Sequence, residues 1–144
     1  MILLDTNIVS EMLKPRPSAA VDAWLNTQPW SSLYLCTPVL AELRFGVERL
    51  APGRRQNALA ASIDRIENEY YRDRILSFDT AAAGVFARIA AQRERQGRRM
   101  EPVDGFIAAI ALTHGATFAT RDVNDFAELG LDLINPFEFV GSPK

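Results

Sequence analysis

The chain opens with a short apolar run that ends in three consecutive polar residues, and this junction constrains the fold more than any other stretch. Met1 to Leu4 predicts a buried strand, and the polar residues Asp5, Thr6 and Asn7 predict the turn where a helix begins. In an open α/β sheet, ligands bind outside the carboxyl ends of the strands. A central position of this strand would therefore place the Asp5 carboxylate in a binding crevice. The alternative is that one of the three residues only caps the helix, since all are good N-cap residues.

The size and composition of the chain are those of one globular domain, which we expect to span residues 1–144. Hydrophobic residues make up 48% and charged residues 24% of the sequence. A single cysteine, Cys36, excludes an internal disulfide framework, and no apolar stretch is long enough for a membrane span. We therefore expect a cytoplasmic protein without a membrane partner. The net charge of −2 does not have the positive sign that is typical of nucleic-acid-binding proteins. If four acidic residues are gathered in one metal site, however, the rest of the molecule carries a net positive charge.

Short apolar runs alternate with amphipathic segments along the chain. This alternation predicts a mainly parallel central sheet with helices on both faces, that is, a three-layer α/β/α domain. After the first strand we predict strands at Leu33 to Cys36, Ile75 to Phe78, Thr117 to Thr120 and, at an edge, Leu131 to Ile134. We predict six helices: Ile8 to Leu13, Ser18 to Thr27, Thr37 to Leu50, Arg54 to Tyr71, a fifth from Asp79 or Thr80 to the arginines around Gly97, and Pro102 to Leu112. The Thr37 hydroxyl is expected to cap the third helix.

Three further acidic residues occupy positions comparable to that of Asp5. Glu42 lies in the first turns of the helix after the second strand, Asp104 begins a helix, and Asp122 directly follows the fourth strand. All four are therefore expected at one rim of the sheet. Each also has a local alternative, because Glu42 could be a favourable first-turn acid, Asp104 a cap and Asp122 a turn residue. Asp125 is a weaker fifth candidate that most simply opens the short helix that follows it.

Four carboxylates at one rim require charge compensation. Two carboxylates about 4 Å apart repel by roughly 4 kcal/mol at an effective dielectric constant of 20. No histidine or cysteine accompanies the acids, so the predicted site is an all-oxygen site for Mg²⁺ or Mn²⁺. Mg²⁺ commonly uses substrate phosphates as further ligands, and this chemistry indicates phosphodiester hydrolysis.

Four segments of the chain resemble the PIN-domain ribonucleases, and in particular the VapC-type toxins of bacterial toxin–antitoxin pairs. They are Leu4 to Asn7, Thr37 to Gly46, Asp104 to Ala109 and Thr120 to Phe126, and they occur in the family's order. The resemblance implies an acidic quartet around Mg²⁺ with these members: Asp5 and Asp104 as the main metal ligands, Glu42 binding metal or orienting the attacking water, and Asp122 completing the site. Thr6 and Thr120 resemble the accompanying hydroxyls. The family often has asparagine at the position of Asp122 and retains the later aspartate, here Asp125, so the sequence leaves their relative roles open.

The leading hypothesis is a Mg²⁺-dependent endoribonuclease that acts as a toxin and is restrained by a cognate antitoxin protein. The alternative is a non-catalytic PIN-fold protein that binds RNA or serves as a scaffold. A phospho-accepting signalling domain would need a lysine after a late strand, and the only lysines are Lys14 and Lys144. Four arginines could contact RNA phosphates or could simply form a solvated helix end: Arg93, Arg95, Arg98 and Arg99.

Two amphipathic helices joined by a short break indicate a docking groove for a partner helix. They are Pro38 to Leu50 and Arg54 to Tyr71. Aromatic residues that could contribute are Trp24, Trp30, Tyr70 and Tyr71, although ordinary core positions explain them equally well from the residues alone. The resemblance implies a homodimer whose grooves hold antitoxin segments, with an antitoxin arginine pairing with Asp5 or Asp104.

Overall fold

Every strand of the central sheet runs in the same direction. The computed structural model describes residues 1–141 and shows five parallel strands in the order β3-β2-β1-β4-β5. The last strand lies at an edge, as the sequence predicts, and the opening strand is central, which the sequence left open. The strands are β1 (Ile2–Leu4), β2 (Leu33–Cys36), β3 (Ile75–Leu76), β4 (Thr117–Ala119) and β5 (Asp132–Ile134).

Six α-helices flank the sheet, and the predicted three-layer α/β fold is confirmed. Residues 142–144 of the predicted domain, including Lys144, lie outside the described range. No helix within residues 1–141 is both long and apolar enough to cross a membrane. The helices are α1 (Thr6–Met12), α2 (Ala19–Thr27), α3 (Thr37–Glu48), α4 (Arg54–Arg65), α5 (Thr80–Arg95) and α6 (Pro102–His114).

The middle of the sheet is buried by the helices. Leu3, Leu4, Leu33, Leu35 and Phe118 have no exposed surface, which explains why the strands are continuous apolar runs without polar alternation. Burial of each such side chain contributes roughly 1.5–3 kcal/mol to folding. The sheet is therefore a rigid base for the residues that follow its strands.

The neighbouring strands β1 and β4 form a topological switch point. The chain leaves β1 towards β2 on one side and leaves β4 towards β5 on the other, so the connecting segments diverge and open a crevice at the carboxyl ends. Two backbone hydrogen bonds extend the strand pairing into this crevice. The Asp5 N–H donates to the Ala119 carbonyl at 2.9 Å, and the Thr120 N–H donates to the Ile134 carbonyl at 2.9 Å.

Helix α6 approaches α5 closely beside this crevice. A Cβ atom at Gly105 would lie 2.7 Å from a ring carbon of Phe86, so only glycine fits there without a shift of the ring. The ring of Phe106 lies 4.8 Å from that of Phe86 and 4.6 Å from that of Phe78, measured between centroids. Asp104, the residue before Gly105, therefore begins its helix against an aromatic cluster.

Several predicted boundaries differ from the structure. Thr37 does not cap α3; the N-cap position is Cys36, and the Thr37 hydroxyl accepts a hydrogen bond from the Phe78 N–H at 3.3 Å. The predicted helix to Tyr71 ends as an α-helix at Arg65 and continues as a π-helical turn, Ile66–Tyr70. These differences depend on contacts between segments that are distant in sequence.

Candidate active site

The Asp5 carboxylate lies at the switch point between β1 and β4. It is only 5% exposed, and both of its oxygens accept hydrogen bonds. The Thr6 N–H donates to Oδ1 at 2.8 Å, and the Thr120 hydroxyl donates to Oδ2 at 2.7 Å. Asp5 is also the N-cap residue of α1, so the capping interpretation and the crevice interpretation describe the same side chain.

Two threonine hydroxyls join the acidic residues of the crevice. The Thr6 hydroxyl donates to Oε1 of Glu42 at 2.6 Å and so holds α3 against the start of α1. The Thr120 hydroxyl, while donating to Asp5, accepts a hydrogen bond from the Asp122 N–H at 3.0 Å. Both hydroxyls therefore orient the carboxylates or the backbone that carries them.

Asn7 forms a third link, although the sequence alone indicated only a possible cap. Its Nδ2 donates to Oδ2 of Asp122 at 3.1 Å and to Oδ2 of Asp5 at 3.3 Å. Its Oδ1 accepts from the Arg121 N–H at 3.2 Å. The presence of an amide side chain at this position, instead of another carboxylate, is a sequence signal that could have indicated this bridging role.

Asp104 completes the set of acids, which we call the acidic rim: Asp5, Glu42, Asp104 and Asp122. Its carboxylate lies in the first turn of α6 and is partly buried, and within residues 1–141 it accepts no hydrogen bond that would make it a cap. Burial raises the pKa of Asp104 to about 6, and the negative charges of Asp5, Glu42, Asp125 and Asp122 add to this shift. Asp104 therefore lies near enough to these acids for their charges to act on it.

The pKa of Asp5 rises to about 6 as well. Burial is the main cause, and the charges of Glu42 and Asp122 add to it, whereas the hydrogen bonds from Thr120 and Thr6 oppose it. A carboxylate that is costly to ionise and is nevertheless supplied with donors suits a position where a cation is bound.

The donor chemistry of the acidic rim fits a hard cation such as Mg²⁺ or Mn²⁺ better than zinc. Among residues 1–141, no three histidine, cysteine or acidic side chains are grouped so that they could together hold a metal ion. Mg²⁺ does not need such a cluster, because it commonly takes one or two carboxylates and keeps several waters. Asp5 and Asp104 would supply these carboxylates, and the absence of nitrogen and sulfur donors at the rim favours a hard cation.

Asp122 and Asp125 occupy different positions in the turn after β4. Asp122 is at the N-cap position of the short 3₁₀ helix Val123–Phe126, so Asp125 lies within that helix and does not open it. Asp125 is exposed and lies near Asp104, whereas Asp122 is linked to Asp5 through Asn7. The two aspartates therefore flank the rim from two directions.

The four arginines at the end of α5 separate into a buried and an exposed group. Arg93 is only 4% exposed, and its guanidinium donates to the carbonyls of Asp125 and Ala127 at 3.0 and 2.7 Å. Its position after Ile89 on the buried stripe of α5 is a sequence signal for this structural role. Arg93 thus fixes the turn that carries the aspartates, and its guanidinium is not accessible to a phosphate.

Three of the arginines are exposed, and two of these lie near the acids. Arg98 pairs with Glu128 at 3.0 Å, whereas Arg95 and Arg99 are exposed. Arg98 and Arg99 line a polar pocket of about 400 Å³ together with Asp104 and Asp125; we call it the Arg98 pocket. A basic wall therefore lies directly beside the acidic rim.

Comparison with known proteins identifies the family. A PIN domain profile matches residues 2–131. The chain belongs to the PIN-domain family. This PIN domain is 41% identical over 141 residues to the VapC ribonuclease Y4jK of Sinorhizobium fredii, with 96% of this chain and 99% of that protein covered. It is 38% identical over 137 residues to the toxin FitB of Neisseria gonorrhoeae, with 95% and 99% covered.

A solved structure agrees with these relatives. The crystal structure of FitAcB from Neisseria gonorrhoeae matches this PIN domain with a TM-score of 0.89 and 37% identity, over 96% of this chain and 100% of that chain. The resemblance to VapC-type PIN domains is therefore confirmed. The named relatives support a ribonuclease of the toxin class, and the details of its chemistry depend on the acidic rim.

Proposed function

We propose that this PIN domain is a Mg²⁺-dependent endoribonuclease, with Mn²⁺ as a possible substitute, and that it acts as the toxin of a toxin–antitoxin pair. The observation that supports the proposal is the hydrogen-bonded linkage of the crevice acids, in which Thr6 joins Asp5 to Glu42 and Asn7 joins Asp5 to Asp122. Asp104 lies near enough for the charges of these acids to act on it. The relatives named VapC ribonuclease and toxin FitB support both the activity and the biological role. Because its proposed substrate is cellular RNA, we expect the protein to act in the cytoplasm.

Each acid has a distinct role in this proposal. Asp5 and Asp104 hold the metal, and Asp122, aligned by Asn7, completes the site. When bound, Mg²⁺ supplies positive charge that polarises the scissile phosphate and acidifies a coordinated water. Thr120 keeps the Asp5 carboxylate in one orientation, which a buried ligand requires.

Glu42 is the residue that we assign to the attacking water. Its side chain is exposed, and Thr6 occupies only one of its oxygens, Oε1. The other oxygen is available to accept a proton from water as the water attacks the phosphorus. The hydrogen bond from Thr6 fixes the carboxylate, so the accepting oxygen has a defined direction.

An apolar groove beside the rim supports an antitoxin partner. The groove has a volume of about 420 Å³ and runs between α1, α3 and α4, reaching the rim at Thr6 and Glu42. A partner helix in this groove could therefore extend an arginine to the carboxylates and block the metal site. The apolar lining comprises Leu13, Leu43, Val47, Leu59 and Ile63.

The aromatic residues expected at this surface divide between core and exterior. Trp24 and Tyr71 are buried and belong to the core, whereas Trp30 and Tyr70 are each 48% exposed. The exposed pair does not line the groove but belongs to a separate pocket next to it. We retain the homodimer as a proposal supported by the resemblance to VapC-type toxins, and light scattering of the purified protein tests it.

The proposed activity is tested by cleavage of single-stranded RNA with and without Mg²⁺, in wild type and in Asp104→Asn. We expect cleavage that requires Mg²⁺ or Mn²⁺, stops with a chelator and falls by at least about a hundredfold in the variant. A protein that binds RNA but cleaves none under any metal condition would support the alternative, a non-catalytic PIN-fold RNA-binding or scaffold protein.

A further inference from the structure

A second polar pocket adjoins the acidic rim and shares no residue with the Arg98 pocket. It has a volume of about 370 Å³, and the rim contributes Asp5 and Asp122 to its wall. Asp104 and Asp125 belong to the Arg98 pocket instead. The rim therefore has a separate polar pocket next to each of its two sides. The remaining wall of this second pocket, which we call the Arg121 pocket, is formed by Thr6, Asn7, Ser10, Glu11, Lys14 and Arg121.

Arg121 brings a positive charge to this pocket that no carboxylate neutralises by a direct ion pair among residues 1–141. Its guanidinium carbon lies 3.7 Å from the centroid of the Phe137 ring, so the charge rests on an aromatic face. Its backbone N–H is held by Asn7, the residue that bridges the rim. Arg98, by contrast, is already paired with Glu128. Arg121 is thus positioned for a ligand without first losing a partner.

The other acid deep in the pocket is already satisfied. Glu11 is 6% exposed, and its carboxylate accepts hydrogen bonds from Lys14 at 2.8 Å and from the Ser18 N–H at 2.7 Å. These two hydrogen bonds, with a smaller contribution from the charge of Arg121, hold the pKa of Glu11 below its usual range. Glu11 makes no direct ion pair with Arg121. The Lys14 ammonium is exposed and has further donor capacity, and the Ser10 side chain adds a hydroxyl to the wall.

We propose that the Arg121 pocket binds the RNA phosphate next to the scissile one, with Arg121 as its principal ligand and Lys14 and Ser10 as supporting donors. A guanidinium fork matches the oxygens of a phosphate and binds them in bidentate geometry. With one phosphate at the rim and its neighbour in this pocket, the strand is held where the acids can reach it. The assignment rests on the proposed ribonuclease function.

Binding of a fluorescent single-stranded RNA tests this subsite in the cleavage-deficient Asp104→Asn protein. The added changes are Arg121→Ala and Arg121→Lys, and the control is Arg16→Ala, an exposed arginine near the end of α1 that does not line the pocket. We expect Arg121→Ala to weaken affinity by about tenfold and to reduce the salt-dependence slope by about 0.7. Arg121→Lys should keep the slope and lose part of the affinity, since lysine retains the charge without the fork.

Steady-state cleavage by the otherwise wild-type enzyme gives a second measurement. A flanking phosphate contact predicts that Arg121→Ala raises KM with a smaller effect on kcat, at an unchanged melting temperature. Unchanged RNA affinity and salt slope in Arg121→Ala would overturn the subsite, as would a change confined to antitoxin binding. A different result would overturn the proposed function itself. If wild type cleaves no RNA and the Asp104→Asn protein binds none, both the proposed function and the subsite are wrong.

Discussion

The hydroxyl of Thr120 donates a 2.7 Å hydrogen bond to Oδ2 of Asp5, and both side chains are buried. The two residues are 115 positions apart in sequence and become neighbours because β1 and β4 are paired. The same hydroxyl accepts the Asp122 N–H, so one oxygen connects two acids of the rim. This contact makes the orientation of the acidic rim depend on the central strand pair.

Replacing Thr120 with valine should therefore affect both stability and activity. The Asp5 carboxylate loses a donor and the Asp122 N–H loses an acceptor, which should cost about 1–3 kcal/mol in the free energy of unfolding at neutral pH. RNA cleavage should fall as well. Thr117→Val is the matched control, because Thr117 lies on the same strand and its hydroxyl donates to the exposed Asp132 at 2.8 Å. Urea denaturation should show that the control loses about 0.5 kcal/mol or less in the free energy of unfolding. Equal losses in the two variants would contradict the role assigned to the Thr120 hydroxyl.

The raised pKa values make the metal-free protein less stable as the pH increases. Asp5 and Asp104 have pKa values of about 6 against an ordinary value of 3.8, so the folded state binds protons more tightly than the unfolded state. Their contribution is fully present below about pH 4 and is lost as the pH rises through 6. For the buried Asp5 it amounts to about 2–3 kcal/mol.

Urea denaturation in chelator at pH 5 and pH 7.5 measures this effect. The comparison of wild type with Asp5→Asn isolates the contribution of Asp5 to the pH dependence of the free energy of unfolding, because the other titrating groups are common to both proteins. We expect the variant to gain stability relative to wild type at pH 7.5 and less so at pH 5. An equal difference at both pH values would show that Asp5 titrates normally.

The exposed arginines beside Asp104 should contribute to RNA affinity through charge. Changing Arg98 and Arg99 together to alanine should weaken RNA binding and reduce the salt slope by about 0.7 for each phosphate that the protein no longer binds. A double change of Arg54 and Arg72, which are exposed and lie outside the Arg98 pocket, is the control for net charge. If both double variants have the wild-type slope, the arginines at the end of α5 are only a solvated helix end.

The apolar groove should bind the antitoxin, and RNA cleavage in the absence of antitoxin should not depend on the groove. Ala58→Glu introduces a charge into the groove wall, so binding of the antitoxin peptide should weaken by at least about tenfold while RNA cleavage without antitoxin is retained. Ala61→Glu places the same charge on an exposed site of α4 outside the groove. Calorimetric titration with the peptide compares them, and equal affinities would place the partner elsewhere.

Local patterns were sufficient to predict the sheet and the position of its acids. The apolar runs before Asp5 and before Asp122 predict two buried strands. Because the carboxyl ends of parallel strands meet at the same edge of a sheet, both aspartates are expected at that edge. The central position of β1 was left open by these patterns and comes from the strand order of the structure. These features depend on residues close in sequence together with a general rule for open sheets.

Contacts between distant segments could not be predicted in the same way. The Thr37 hydroxyl bonds to the Phe78 N–H instead of capping its own helix, and Arg93 is buried against the turn after β4. Gly105 is required by a ring on the neighbouring helix, not by a turn. For Thr37 and Arg93 a local rule gave one reasonable role and the tertiary packing supplied another, whereas no local pattern assigned a role to Gly105.

The response of the melting temperature to Mg²⁺ tests the central claim, that the acidic rim is a cation site, most directly. Binding to the folded state should raise the melting temperature of wild type, by about 2–4 °C for each kcal/mol of stabilisation by the bound ion. Asp104→Asn should melt higher than wild type without metal and should not respond to Mg²⁺, whereas Asp22→Asn, at an exposed position of α2, should behave like wild type. Superimposable melting curves of wild type with and without saturating Mg²⁺ would contradict the account.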